Sequence, residues 1–277
     1  YWHDYTGHVK DKPITEASVP VKAALIGRVG LMLLSCGTGA WRVRSSMNAL
    51  SEQLGVTCTA SIGLMTIVYT CFDGHKTFTN SLALNNTGVN TSKLNQLERF
   101  VKNFPKEGVH MSGEQLHNRL DEIEQIRGLY TPFQLGLAAA FACSAFTFLL
   151  GGGPIEMLCA FIGAGVGNFL RCHLIKRHFT LYLCVISSVA LACLSYVLSL
   201  RLFDMIFTLP GNHEAGYICA MLFIIPGFPF ITSGIDLAKL DMRSGLERLA
   251  YAVIIVVAAT ITGWIMSSIL GVHPANF

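Results

Sequence analysis

The residue types best suited to handling a solute crowd into one apolar stretch, FIIPGFPFITSGID. Pro226, Gly227 and Pro229 fall near its middle. Each proline lacks an N–H and clashes with the preceding turn, so a helix breaks or kinks there and frees backbone carbonyls. In lipid, such carbonyls are tolerated only where protein or a water-filled cavity satisfies them. Broken helices near the bilayer midplane are one way to build a transport site; a plain proline kink is the equal alternative. Thr232, Ser233 and Asp236 follow. Thr232 and Asp236 are four apart and share a helix face. Asp236 is read either as a proton-carrying or substrate-binding acid or as the polar end of the helix. A second stretch, FIGAGVGNFL, carries Gly163, Gly165 and Gly167, which permit close helix approach. Asn168 follows them and needs a hydrogen-bond partner inside a membrane. Glu156, near the start of that stretch, reads as a gate or an interfacial charge.

Those residues need elements to hold them, and composition says what the elements are. Of 277 residues, 52% are hydrophobic and 13% charged, with mean hydropathy +0.50. Soluble domains carry about 25% charged residues. The charge is uneven: 24 of the 37 Asp, Glu, Lys and Arg lie in residues 1–132. A single soluble globule, a disordered chain and a disulfide scaffold are excluded. The net charge of +3, with no basic run, gives no support for nucleic-acid binding.

Five apolar stretches are long enough to span a bilayer, at about 20 residues each. They cover approximately 133–152, 154–170, 179–200, 215–237 and 247–270. The expected fold is a membrane protein, mainly α. A small cytoplasmic α+β domain, residues 1–128, precedes a five-helix transmembrane bundle, residues 129–277. Arg171, Lys176, Arg177, Lys239, Arg243 and Arg248 fall in connections on one side, and Arg201 on the other. The positive-inside rule then puts the N-terminal domain in the cytoplasm and the C-terminus outside. Residues 1–20 are polar and show no signal-peptide pattern.

Within the polar half, residues 21–54 read as one long helix between Pro20 and Gly55, a domain helix that lies against the membrane. TCTASIGLMTIVYTCF, residues 57–72, reads as a strand and hairpin, with Asp73-Gly74 as turn and Thr77–Leu84 as partner. Thr91–Phe104 reads as a short helix, and Ser112 with Gln115 as a capping box opening a helix to about Ile126. No phosphate loop or nucleophile–base pair is present, and His75, His110 and His117 have no ligand spacing. The chain is therefore not expected to be an enzyme or to hold a cofactor or metal. None of the nine cysteines forms a CxxC motif, so all are read as reduced and structural. Asn85-Asn86-Thr87 and Asn90-Thr91-Ser92 match glycosylation sequons, but surface or turn roles suit a cytoplasmic placement better.

Two further stretches carry a resemblance. One runs from Gly27-Arg28 through Ser35-Cys36-Gly37 and Trp41-Arg42-Val43-Arg44 to Met47 and Leu54-Gly55. The other is Pro226-Gly227-x-Pro229, then Asp236, then Ser244-Gly245. With five spans after a polar domain, the chain resembles the threonine/serine exporter family. Arg44 stands where that family has an acid. The resemblance implies export of threonine and serine, or of a dicarboxylate such as succinate as in two-component relatives. It also implies a second five-span membrane subunit, fused or separate. A five-span partner fused after residue 277 would be inverted relative to the first unit, a common transporter plan. Expected partners are the lipid membrane and that second subunit, with or without homo-oligomerisation, in a bacterial-type inner membrane. A proton-coupled exporter is the leading function, and a membrane-anchored regulatory or scaffold subunit the alternative. Arg28, Arg42 and Arg44 are the cytoplasmic-domain motif residues; Arg42 and Arg44 are candidates for binding a substrate, a nucleotide or a subunit, or for plain surface ion pairs.

Overall fold

The computed structural model describes residues 2–6, 12–126, 128–207 and 213–272. Lys10 and Asp11, within the polar first 20 residues, lie outside the described residues. The chain forms two compact units: residues 1–129 with Phe228–Ala250, and residues 130–227 with 251–277.

The first unit is α+β. Helix α1, Val19–Ser35, opens with Pro20 in its first turn, where a missing N–H costs nothing. It is the core of this unit: Leu25, Ile26, Val29, Leu33 and Leu34 are all inaccessible to solvent. The single helix expected over 21–54 is in fact two. Gly37 takes φ +81°, which stops α1, and α2, Ala40–Gln53, starts after Gly39 and ends before Gly55 at φ +65°. The faces of α1 are covered by this unit's own core.

Residues 57–72 are also two elements. Strands β1, Thr57–Ile62, and β2, Thr66–Phe72, pair antiparallel across a tight turn closed by the Gly63 N–H and the Thr66 carbonyl at 2.8 Å. Strand β3, Thr77–Ala83, completes the order β1-β2-β3. The predicted Asp73-Gly74 turn is present: Asp73 Oδ1 accepts the backbone N–H groups of His75 and Lys76 at 2.9 and 2.7 Å. Alternation along β1 and β2 buries Cys58, Ala60, Ile62, Ile67, Tyr69 and Cys71. Helix α3 spans Thr91–Asn103 and is capped by Asn90, the turn role expected for that sequon. Helix α4, Gly113–Glu124, opens with the predicted Ser112–Gln115 capping box.

In the second unit, α5, Pro132–Leu149, has a capping box of its own between Thr131 and Gln134. Helices α6, Pro154–Lys176, and α7, Leu181–Asp204, follow. Both run past their apolar stretches, so Arg171 and Arg201 are helical rather than in connections. Gly163 and Gly167 bring α6 against α7: a Cβ on either would stand 2.8–2.9 Å from the carbonyl of Ala192 or Ser188. The core holds Cys159, Val185, Val189, Tyr196, Tyr217 and Ile255. Large apolar side chains such as Leu149, Leu198 and Trp264 face outwards, being 67–72% exposed, as lipid-facing helices require.

The fourth stretch is broken. Glu214–Ile224, which contains α8 (Glu214–Ala220), and α9, Gly227–Ala238, are bent by 65° at the break. Helix α10 runs from Met242 to Leu270, so Arg243, Glu247 and Arg248 lie in its first two turns instead of a loop. Among the described residues, four helices are long and apolar enough to cross a membrane, or five with the bent pair as one span.

Candidate functional site

In the first unit, the beginning of α10, the end of α9 and the α1–α2 loop meet at one buried carboxylate. Asp236 has no solvent exposure. Its Oδ2 accepts the Ala40 N–H at 3.1 Å and the Ser244 hydroxyl at 2.9 Å, and faces Arg248 Nε at 3.3 Å. A carboxylate at the first turn of α2 suits the free N–H groups and positive dipole end there. Arg248 continues the network. Its Nε donates to Ser244 Oγ at 3.1 Å, and Nη1 and Nη2 donate to the carbonyls of Gly37 and Thr38 at 3.0 and 2.8 Å. Gly39 must be small, since a Cβ there would stand 2.7 Å from Asp236 Oδ1. That oxygen is buried and has no partner among the described residues.

The two motif stretches therefore meet in this network. Gly37 comes from the first, and Asp236 and Ser244 from the second. Gly245 lets α10 close on α9, with a Cβ position 2.7 Å from the Leu237 side chain. Ser233 donates to the Gly245 carbonyl at 2.8 Å. Thr232 turns back to the carbonyls of Phe228 and Pro229 at 3.0 and 3.2 Å, hydrogen bonds within α9 itself. Around the network, Glu247 accepts the Leu64 N–H at 2.6 Å and Arg44 pairs with Asp241 at 2.6 Å.

The motif arginines take different roles. Arg42 pairs with Glu98 at 2.9 Å on the surface, and its guanidinium lies over Trp41. Arg28 is 1% exposed and holds α4 to α1. It donates to the His117 carbonyl at 3.0 Å and to Glu124 at 2.8 Å, and also pairs with Asp121. Its Nη1 stands 3.3 Å from His117 Nδ1, so that nitrogen accepts and the imidazole is neutral. Burial, then the Arg28 charge, push the His117 imidazole down to about 4. Burial raises the Asp121 carboxyl, but hydrogen bonds from Arg28 and His3 outweigh it and hold the group below its ordinary value.

In the second unit, Asn168 donates to the Leu135 carbonyl at 2.9 Å, tying α6 to α5. Glu156 Oε1 meets His213 Nδ1 at 3.0 Å, and the Tyr196 hydroxyl donates to the His213 carbonyl at 3.0 Å. Pro226 and Gly227 form the break. The Gly227 N–H donates to the Ile225 carbonyl at 2.9 Å. Among the described residues, no three His, Cys, Asp or Glu side chains group as a metal site. Eight cysteines are buried and Cys172 is half-buried.

Sequence reasoning missed Arg248, Arg171 and His213. Arg248 lies four residues after Ser244, a helical spacing that points both at Asp236. Reading Lys239, Arg243 and Arg248 as connection charges masks that signal.

A family model described as "Putative threonine/serine exporter" (ThrE) matches residues 24–270. The chain belongs to the threonine/serine exporter family. It is a transmembrane transport protein of that family. It is also similar to the "Probable succinate transporter subunit YjjP" of Escherichia coli (strain K12), 24% identical over 86% of this chain and 90% of that protein. The protein of the same name from Klebsiella aerogenes is 24% identical over 83% of this chain and 87% of its own length. No solved structure matches. Within the family match lie both motif stretches and the Asp236–Arg248 network.

Proposed function

We propose that this chain is one subunit of a proton-coupled exporter of small carboxylate-bearing metabolites, threonine and serine or a dicarboxylate such as succinate. Solute is handled at the broken fourth stretch, and Asp236 carries the coupling proton. The N-terminal domain is cytoplasmic, the C-terminus lies outside a bacterial-type inner membrane, and a second five-span subunit completes the pathway. The observation that carries the reading is the break at Pro226 with a buried acid following it, whose Oδ1 has no hydrogen-bond partner among the described residues. The names of the family and of the relatives support carboxylate export.

A second reading is favoured by the same acid's other contacts. Asp236 Oδ2 is engaged by Ala40, Ser244 and Arg248, as in a structural clamp. The chain would then be a membrane-anchored scaffold whose partner holds the transport site. Counterflow in proteoliposomes containing both subunits separates the two. Asp236→Asn removes the proton carrier. Asp236→Asn with Arg248→Gln removes it while leaving a neutral, hydrogen-bonded pair. The exporter reading expects both variants to be inactive in proton-driven export; export restored by the double variant supports the clamp and refutes the proton role.

A further inference from the structure

The break in the fourth stretch leaves the Phe223 carbonyl without a local partner. In an unbroken helix the Phe223 carbonyl would accept from the N–H of residue 226 or 227. Residue 226 is proline, and the Gly227 N–H is taken by Ile225 at 2.9 Å. Arg171 of α6 fills the gap: its Nη1 donates to the Phe223 carbonyl at 3.2 Å. A neutral amide could do the same, so the hydrogen bond alone does not account for a cation here.

The cation is costly where it stands. Arg171 lies within α6, five residues before its end, and its Nε is buried without a hydrogen-bond partner. Among the described residues no carboxylate pairs with it. The ionisable side chains that act on it are Cys172, Cys184 and Tyr251. Arg171 is half-buried, and a guanidinium partly withdrawn from water without a counter-ion is unfavourable; ionisable groups in spans mark solute or ion paths. Its remaining edge, Nε and Nη2, matches the two oxygens of a carboxylate.

We infer that Arg171 receives a carboxylate of the exported solute beside the break, the solute being the missing counter-ion. This rests on the exporter reading above and names the binding group it lacks. Arg171 lies toward the end of α6 that leads to Lys176 and Arg177, the side on which an exporter loads. Binding exchanges the unpartnered Nε for a two-point ion pair, while Nη1 keeps the broken turn in place.

The test uses the full chain with its second subunit in neutral phosphatidylcholine vesicles, with labelled succinate as probe. Arg171→Gln keeps a donor for the Phe223 carbonyl and removes the charge; Arg171→Lys keeps the charge without the fork. The half-saturating succinate concentration should rise at least tenfold in Arg171→Gln and less in Arg171→Lys. Phenylglyoxal labelling of the wild-type protein, read by mass spectrometry, needs no variant: succinate should slow modification of Arg171 several-fold. Active wild type with unchanged Arg171→Gln, or with labelling insensitive to succinate, overturns the inference and leaves the exporter reading standing. Protection by added phosphatidylglycerol but not by succinate also overturns it, in favour of a lipid headgroup. A wild-type pair that moves neither succinate nor threonine defeats both.

Discussion

Arg248 Nε and Asp236 Oδ2 stand 3.3 Å apart, with side chains 4% and 0% exposed. Neither charge is reached by water, and each is also held by backbone groups of the α1–α2 loop. Such a pair contributes little net stability against an apolar substitute, but removing one member strands the other. It fixes which loop α9 and α10 can close upon.

Arg248→Met should therefore cost about 3–5 kcal/mol by leaving Asp236 without its cation. Thermal unfolding of the detergent-purified protein measures this. Stability equal to wild type would show that the backbone hydrogen bonds alone hold the acid.

Gly27 sits where α1 crosses β2, and a Cβ there would stand 2.2 Å from the Tyr69 hydroxyl oxygen and 2.4 Å from its ring carbon. The ring is buried and cannot swing into solvent. Gly27→Ala should destabilise by about 1–3 kcal/mol through overpacking. Adding Tyr69→Ala should recover part of the α1–sheet fit, detectable as slower proteolysis of the double variant than of Gly27→Ala.

The His117 imidazole gives the first unit an acid-sensitive joint. It titrates near 4 when folded and near 6.5 when unfolded. Above about 6.5 it is neutral in both states and has no effect. As pH falls from there toward 4, the unfolded chain binds a proton that the folded chain refuses. Stability drops by roughly 3 kcal/mol over that window. Asp121, held low by Arg28 and His3, loses its contribution as the acid limit is approached. Melting temperatures between pH 7 and 4 should fall less steeply in His117→Gln; parallel curves would refute the assignment.

Two glycines of the apolar helices should respond oppositely. At Gly163 a Cβ would stand 2.8 Å from the Ala192 carbonyl, whereas at Gly234 nothing lies within 4 Å. Gly163→Val should disrupt α6–α7 packing by more than 1 kcal/mol. Gly234→Ala should be neutral or stabilise by about 0.5–1 kcal/mol. Melting temperatures of the two purified variants decide it.

The legible parts of this fold were those written in local chemistry. The Asp73-Gly74 turn and the Ser112–Gln115 box each rest on residues within three positions of one another. The helices over the apolar stretches follow from the absence of water to satisfy their backbones. What escaped was set by tertiary packing. The break at Gly37 was hidden because helix-compatible residues flank it on both sides, and a positive φ there stops α1. The 57–72 stretch is continuous in β-formers, so its division at Gly63 depends on pairing with itself. Arg171 and Arg248 were read as connection charges because a helix carrying a buried arginine contradicts the rule that sets span ends. At the candidate site, Asp236 and the prolines were visible, while Ala40, which donates to Asp236, lies 196 residues away along the chain.

Cys172 is the one half-buried thiol beside eight buried ones, and it neighbours Arg171 in α6. A maleimide fluorophore should attach there preferentially in the folded protein, with no engineered background. The natural chain thus offers its own single-site optical reporter, whose emission can be followed as solute is added.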